Sequence, residues 1–235
     1  MIWVGTSGFQ YPEWKGKFYP EKMPPKRMLA FYSERFNTTE INYTFRRMPT
    51  EAILNNWAAQ TPVTFRFSLK APQQITHMRK LRDCAGVVKH FADVAQVLGE
   101  KLGPTLFQLP PFFEADIPLL RSFLGECPPR FKVALEFRHA SWFTKETFDT
   151  LRMHNAALCV ADSEKLHTPV TVTADFAYFR LRDEGYTSKD IESWAGQVKA
   201  VSEGTVDTYV YFKHEESGSG PEFAKLLLNS ISHER

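Results

Sequence analysis

VALEFRHASW, residues 133–142, begins as a core strand and ends in charge. Val133, Ala134 and Leu135 suit a buried strand, yet Glu136, Arg138, His139 and Trp142 follow within a few residues. Side chains alternate across a strand, so Leu135 and Phe137 share one face while Glu136 and Arg138 share the other. A strand with an apolar face packed on helices and a polar face turned inward belongs in a closed barrel. Its charged end then opens into a mouth, where barrel proteins keep their chemistry.

The same alternation recurs along the chain. Strand-like runs lie at 2–6, 38–44, 64–69, 105–109, 132–137, 157–161, 177–181 and 208–212, eight in all. Helical periodicity separates most of them. Met28, Leu29, Tyr32 and Phe36 share a face over 26–36, and Val87, Phe91, Val94 and Leu98 recur over 84–102. Thr50, Asp116 and Thr144 stand where N-caps belong, Thr187 with Asp190 forms a capping-box pattern, and Pro221 suits the first turn of a last helix. Only 162–176, DSEKLHTPVTVTADF, reads as loop or extra strand where a helix is due. Eight alternating units predict an α/β protein, a single (β/α)₈ TIM-type barrel with a weak or missing helix between strands six and seven. The competing open doubly wound sheet lacks its signature, since GTSG after strand one is not GxGxxG. No Gly/Ser- or Pro-rich linker interrupts the chain, so residues 1–235 are expected to form one domain.

The inward faces carry the candidate site. Glu40, Asn42 and Thr44 share a face of strand two; Arg66, Ser68 and Lys70 of strand three; Arg180 and Arg182 of strand seven; Tyr211 and Lys213 of strand eight. Gln108 and Asp162 end strands four and six. Charges inside a barrel are costly unless paired or solvated, so they are expected near the C-terminal mouth. Arg66, Lys70, Arg138, Arg180, Arg182 and Lys213 outnumber Glu40, Glu136 and Asp162, which favours an anionic ligand bearing phosphate or carboxylate. Glu136, Glu40 and Lys70 are the candidate catalytic groups, and a lysine among cations is a candidate base or nucleophile. Candidate ligand contacts are Thr6, Ser7, Tyr11 and Trp14 in and after strand one, with Asn42, His77, Gln108, Arg138, Trp142, Asp162, Arg180, Arg182, Tyr211 and Lys213 around the mouth.

Other chemistries are less well supported. His77, His139 and His214 follow strands, but no HxH or HExxH spacing joins them, and the surrounding cations oppose a divalent ion; no metal and no nucleotide-cofactor motif is expected. Ser7 and Ser68 lack a GxSxG elbow, and Cys159 reads as core. Phe9, Tyr11, Trp14, Phe18 and Tyr19 on the first loop could stack bases beside arginine, which keeps a nucleic-acid-binding or endonuclease-like barrel as an alternative. A non-catalytic metabolite-binding barrel is the other. HEESGSGPEF, 214–223, sets small residues before a helix where barrels hold phosphate, although Glu215, Glu216 and Glu222 oppose an anion there.

Composition bounds the partners. The 235 residues carry a formal net charge of +2, so nothing draws the whole chain to nucleic acid or membrane. No apolar run approaches the roughly 20 residues of a membrane span. No leader-like segment opens the sequence, and Cys84, Cys127 and Cys159 are odd in number and widely spaced. A cytoplasmic location is expected.

Taken together, GTSGFQYPEWKGKFYP (5–20), FNTTEINYTFRRMP (36–49), FRFSLKAPQQITH (65–77), LGPTLFQLPPFF (102–113), ALEFRHASWF (134–143) and YVYF (209–212) resemble the YecE-like family, domain-of-unknown-function family 72. The resemblance implies a TIM-type barrel and supplies no established activity. Two stretches depart from the family's usual pattern. Arg180-Leu181-Arg182-Asp183 stands where Arg-Leu-His-Gly is usual, and Phe212-Lys213-His214-Glu215 where Phe-Asn-Asn is usual. A cytosolic enzyme of hydrolase or lyase type, acting on an anionic small molecule at the mouth, is the resulting expectation.

Overall fold

The computed structural model describes residues 1–162, 166–214 and 218–233. In chain order it holds β1 (Ile2–Thr6), α1 (Pro25–Ser33), β2 (Thr38–Ile41), α2 (Tyr43–Arg46), α3 (Glu51–Ala59), β3 (Arg66–Lys70), α4 (Ala85–Ala95), β4 (Leu102–Gln108), α5 (Ile117–Glu126), β5 (Val133–Glu136), α6 (Lys145–Met153), β6 (Ala157–Asp162), β7 (Phe176–Leu181), α7 (Ser188–Glu203), β8 (Asp207–Phe212) and α8 (Gly220–His233). The eight strands run parallel in the order β1-β8-β7-β6-β5-β4-β3-β2, a nearly closed (β/α)₈ barrel. The expected caps form. Thr50, Asp116 and Thr144 accept from the backbone N–H groups of Ile53, Leu119 and Thr147, and Thr187 with Asp190 makes a full capping box. Each such cap stabilises its helix by about 1 kcal/mol.

The seam between β1 and β2 closes the ring by another route. Among the described residues one bridge joins them, Ser7 to Glu40. Elsewhere Asn37 spans the gap, its Oδ1 accepting from Val4 N at 2.9 Å and its Nδ2 donating to Ile2 O at 3.2 Å. Tyr32 from α1 does the same, accepting from Thr6 N at 2.8 Å and donating to Thr38 O at 3.1 Å. Gly5 is required at this seam, because a Cβ there would stand 2.0 Å from Thr38 O.

Outward-facing Leu135, Phe137, Phe179, Leu181, Val210 and Phe212 are buried against the helices, as the alternation predicts. The inward set has an aromatic floor, where Trp3 stacks on Tyr209 at 6.0 Å beneath Leu106, Ala134 and Cys159. No helix joins β6 to β7 in the described part of that connection. Thr173 Oγ1 instead accepts from Leu158 N and donates to Ala156 O, both at 2.8 Å. This ties the chain along β6, and Val170 and Val172 cover the outer face of Leu158 and Val160.

Three boundaries differ from expectation. β2 stops at Ile41 because Tyr43–Arg46 coils into α2, and Thr44 leaves the strand face to donate to Lys70 O at 2.6 Å. β4 begins at Leu102, with a register shift against β3 that accommodates Gly103 and Pro104. The helix expected over 84–102 ends at Ala95 and continues as a 3₁₀ segment, Gln96–Lys101, kinked where Gly99 takes φ 54°. Among the described residues no helix is long and apolar enough to cross a membrane.

Candidate active site

Arg180, on the inward face of β7, is fully buried between two carboxylates at the C-terminal end of the barrel. Its Nε and Nη2 donate to Glu40 at 2.9 and 2.8 Å, and its Nη1 donates to Glu136 at 2.7 Å. Ser7 Oγ and Tyr178 OH complete Glu40, donating at 2.5 and 2.7 Å. Asn42 Nδ2 donates to Ser7 Oγ at 2.8 Å. Gln108 Nε2 donates to both oxygens of Glu136, at 2.9 and 3.0 Å. Buried charges are tolerated when paired and fully hydrogen-bonded, and this cluster meets that condition. Burial pushes both carboxyls upward. For Glu40, Arg180 together with Ser7 and Tyr178 outweighs burial and holds it below its ordinary value. For Glu136, Arg180, Arg182, Gln108 and Lys70 do so, down to about 2. Both are ionised at neutral pH and already committed to Arg180.

Lys70, at the end of β3, is only 9 % exposed and, among the described residues, has no carboxylate in hydrogen-bond contact. Its Nζ donates to Gln108 Oε1 at 2.9 Å and stands 4.2 Å from the centre of the Phe45 ring. Burial first, then the charge of Arg180, bring its pKa down to about 8, with Lys213 adding to them and the two carboxylates opposing. His77 meets the same Phe45 ring edge-on at 5.0 Å. Burial, Lys70 and Arg138 hold its pKa below the ordinary value, which favours the neutral ring. His77 rides on a π-helical turn, Gln74–Met78, followed by Lys80, Leu81 and Asp83 at φ 48°, 68° and 50°. Left-handed non-glycine residues cost about 1–2 kcal/mol each, and such strain clusters where a side chain must be aimed. Arg182 reaches Glu136 at 3.6 Å through Nη2, while its Nε is buried without a hydrogen-bond partner among the described residues. Arg138 lies half-buried just beyond β5, within the fields of Glu136, Arg182 and Arg180.

Several expected contacts lie elsewhere. Thr6 and Asp162 have the wrong strand parity. Thr6 faces outward to hydrogen-bond Tyr32 OH, and Asp162 accepts from Tyr186 OH at 2.6 Å and pairs with His167 at 2.8 Å. Trp14 is 1 % exposed, packed among Tyr11, Phe18 and Tyr19, and Tyr11 OH donates to Ser7 O at 2.8 Å. Trp142 is fully buried outside the barrel wall, stacked on Phe137 with its Nε1 donating to Phe113 O at 2.7 Å. Trp14 and Trp142 thus pack the loops rather than line the mouth, while Tyr11 stays half-buried beside Ser7. Tyr211 faces inward below the ionic cluster, bonded to Ser68 Oγ and Thr38 Oγ1 at 2.7 and 2.8 Å. Arg66 belongs to the opposite end, over the floor residue Trp3 at 4.9 Å. His139 shares a hydrogen bond with Ser141 at 2.8 Å, and His214 with Asp183 O at 2.7 Å. Glu215, Glu216 and Ser217 of the last loop lie outside the described residues. Among those described, no three His, Cys, Asp or Glu side chains gather as a metal site.

Two participants escape the sequence reading. Tyr178 shares Arg180's parity on β7, a signal that was available. Strand alternation would put Phe45 opposite Glu40, Asn42 and Thr44; the coil of α2 carries it beside Lys70 instead, which no periodicity shows.

The model of the family described as "Protein of unknown function DUF72" matches residues 3–235. UPF0759 protein YecE of Escherichia coli is 30% identical over 173 residues, 71% of this chain and 61% of that protein, so the match spans under two thirds of this relative's length. UPF0759 protein YunF of Bacillus subtilis is 22% identical over 277 residues, covering 100% of this chain and 96% of the relative. The crystal structure of a DUF72 family protein from Thermotoga maritima superposes with a TM-score of 0.88 at 28% identity over the whole of both chains. One from Enterococcus faecalis gives 0.83 at 18% identity, covering 99% of this chain and 96% of that one.

Proposed function

This chain belongs to the DUF72 family, and we propose that its barrel is an enzyme that binds a small phosphate- or carboxylate-bearing molecule at the C-terminal mouth and uses Lys70 as the acid–base group. The carrying observation is the state of Arg182, whose buried Nε has no hydrogen-bond partner among the described residues. A buried guanidinium N–H left unsatisfied is costly, and an anion's oxygen would satisfy it. Lys70 and Arg138 stand in the same field, while Glu40 and Glu136 are consumed by Arg180. The cationic side of the mouth is therefore what remains for a ligand.

Roles divide by pKa. A carboxyl at about 2 is a weak base near neutrality and holds no proton to donate, so Glu136, with Glu40, serves to fix Arg180 and Gln108. An amine at about 8 exchanges protons readily at the same pH. Proton transfer with bond cleavage, of hydrolase or lyase type, is the chemistry this set supports. Burial of Trp14 and Trp142 takes two indoles from the stacking surface that favoured nucleic acid, which weighs toward the small-molecule reading.

Thermal melts of the chain in inorganic phosphate, sulfate and citrate, against chloride at equal ionic strength, test the reading. A ligand at 100 times its Kd adds about 2.7 kcal/mol of stability. Saturable stabilisation that disappears in Arg182→Gln is expected. Identical melts in all four salts would overturn the proposal.

A further inference from the structure

We infer that Lys70 is a carbonyl-reactive amine: the anion taken up by the mouth carries an aldehyde or ketone, and Lys70 joins it as an imine. The inference rests on the anion reading above and narrows its substrate class.

The geometry around Lys70 differs from that of a lysine kept as a permanent charge. A permanent ammonium is normally secured by a carboxylate, yet both carboxylates nearby are bound to Arg180. Lys70 Nζ meets a neutral amide oxygen instead, Gln108 Oε1 at 2.9 Å. Gln108 cannot turn this oxygen away, because its Nε2 is committed to Glu136 at 2.9 and 3.0 Å. An amide oxygen accepts from –NH₃⁺ and from –NH₂ alike, so it aims the amine without fixing its proton. The Phe45 ring at 4.2 Å shields the amine from water while its face attracts the ammonium form, and Arg180 and Lys213 oppose charging. Desolvation with neighbouring cations is how an amine becomes a nucleophile near neutrality. A fall from 10.5 to about 8 raises the free-amine fraction at pH 7 by roughly 10²-fold.

The step balances without a further reactant. The Nζ lone pair adds to the carbonyl carbon as the C=O π pair moves to oxygen, giving a carbinolamine. The carbinolamine hydroxyl takes up one proton from solvent and departs as water, while the nitrogen pair forms C=N and the nitrogen keeps its remaining hydrogen, giving the protonated imine. His77, on the same Phe45 ring, is the candidate carrier of that proton. Arg182 and Arg138 hold the anionic group, and the protonated imine then draws electrons from an adjacent bond, as lyase chemistry requires.

The test uses the whole chain with pyruvate and, separately, glyceraldehyde 3-phosphate, each with sodium cyanoborohydride at pH 7. Intact mass and peptide mapping locate reduced adducts; melts with the same two compounds and with inorganic phosphate read binding. One adduct per chain at Lys70, formed about tenfold or more faster than at surface lysines, is expected. It should be missing from Lys70→Arg and Lys70→Met, two variants that keep the test readable if one folds poorly. Labelling spread over surface lysines, unchanged in either variant, would overturn the imine. Stabilisation by phosphate and both probes without an adduct would overturn the imine and leave the anion site standing. Neither stabilisation nor adduct would remove both.

Discussion

Replacing Glu136 with Gln keeps the shape of a side chain that is fully buried and removes its charge. In the native chain Glu136 accepts from Arg180 Nη1 at 2.7 Å and twice from Gln108 Nε2, with Arg182 Nη2 at 3.6 Å. A Gln there offers one oxygen and turns its amide N–H groups toward donors. The magnitude follows from linkage. A carboxyl moved from 4.5 to about 2 by its surroundings contributes about 3 kcal/mol of stability at neutral pH. That agrees with the roughly 3–5 kcal/mol lost when one partner of a buried pair is removed. Because the folded-state pKa is depressed, the contribution is fully present above the unfolded value and is lost as pH falls toward about 2. Denaturant titrations of wild type and Glu136→Gln should therefore differ by about 3 kcal/mol from pH 5 to 8. The gap should narrow between about pH 4.5 and 2. In melts the variant should fall by roughly 6–12 °C, at about 2–4 °C per kcal/mol for a chain of this length. The same substitution removes a charge that raises the Lys70 pKa, so the midpoint of Lys70 labelling should move below about 8. A variant within about 1 kcal/mol of wild type, or a gap that persists undiminished to pH 2, would refute the account of Glu136 as an ionised partner of Arg180.

Lys70 should show the opposite sign. Its folded-state pKa is below the unfolded value, so the charged form penalises folding at neutral pH, and the penalty fades as pH rises from about 8 to 10.5. Lys70→Met should raise stability at pH 7 by up to about 3 kcal/mol, with the gain shrinking above pH 8; urea titrations at pH 7 and 10 check both parts. Trp142→Ala should cost about 3–5 kcal/mol as a core truncation while leaving phosphate affinity of the surviving folded protein unchanged, measured by calorimetry; a selective loss of affinity would return Trp142 to the site.

The barrel was legible because two periodicities carry it. Leu135 and Phe137 against Glu136 and Arg138 mark which face of β5 meets helices, and the same parity on β7 separates Phe179 from Arg180. Threonine and aspartate caps at Thr50, Asp116, Thr144 and Thr187 marked helix starts, since capping is a local hydrogen bond that neighbours in sequence decide. Glu40, Lys70, Gln108, Glu136, Arg180 and Arg182 could be assembled for the same reason: each lies at the inward-facing end of a strand. What tertiary structure alone decided is who pairs with whom. Arg180 takes both carboxylates, a choice made by distances across the barrel that no one-dimensional pattern contains. Trp14 and Trp142 read as mouth aromatics in the sequence, yet loop packing buries them, because burial of an indole depends on what the loop folds onto. Phe45 came to the mouth through the coil of α2, and with it came the apolar flank of Lys70. Alternation along a strand determines the side a residue faces; the closure of eight strands into a ring determines which charges meet.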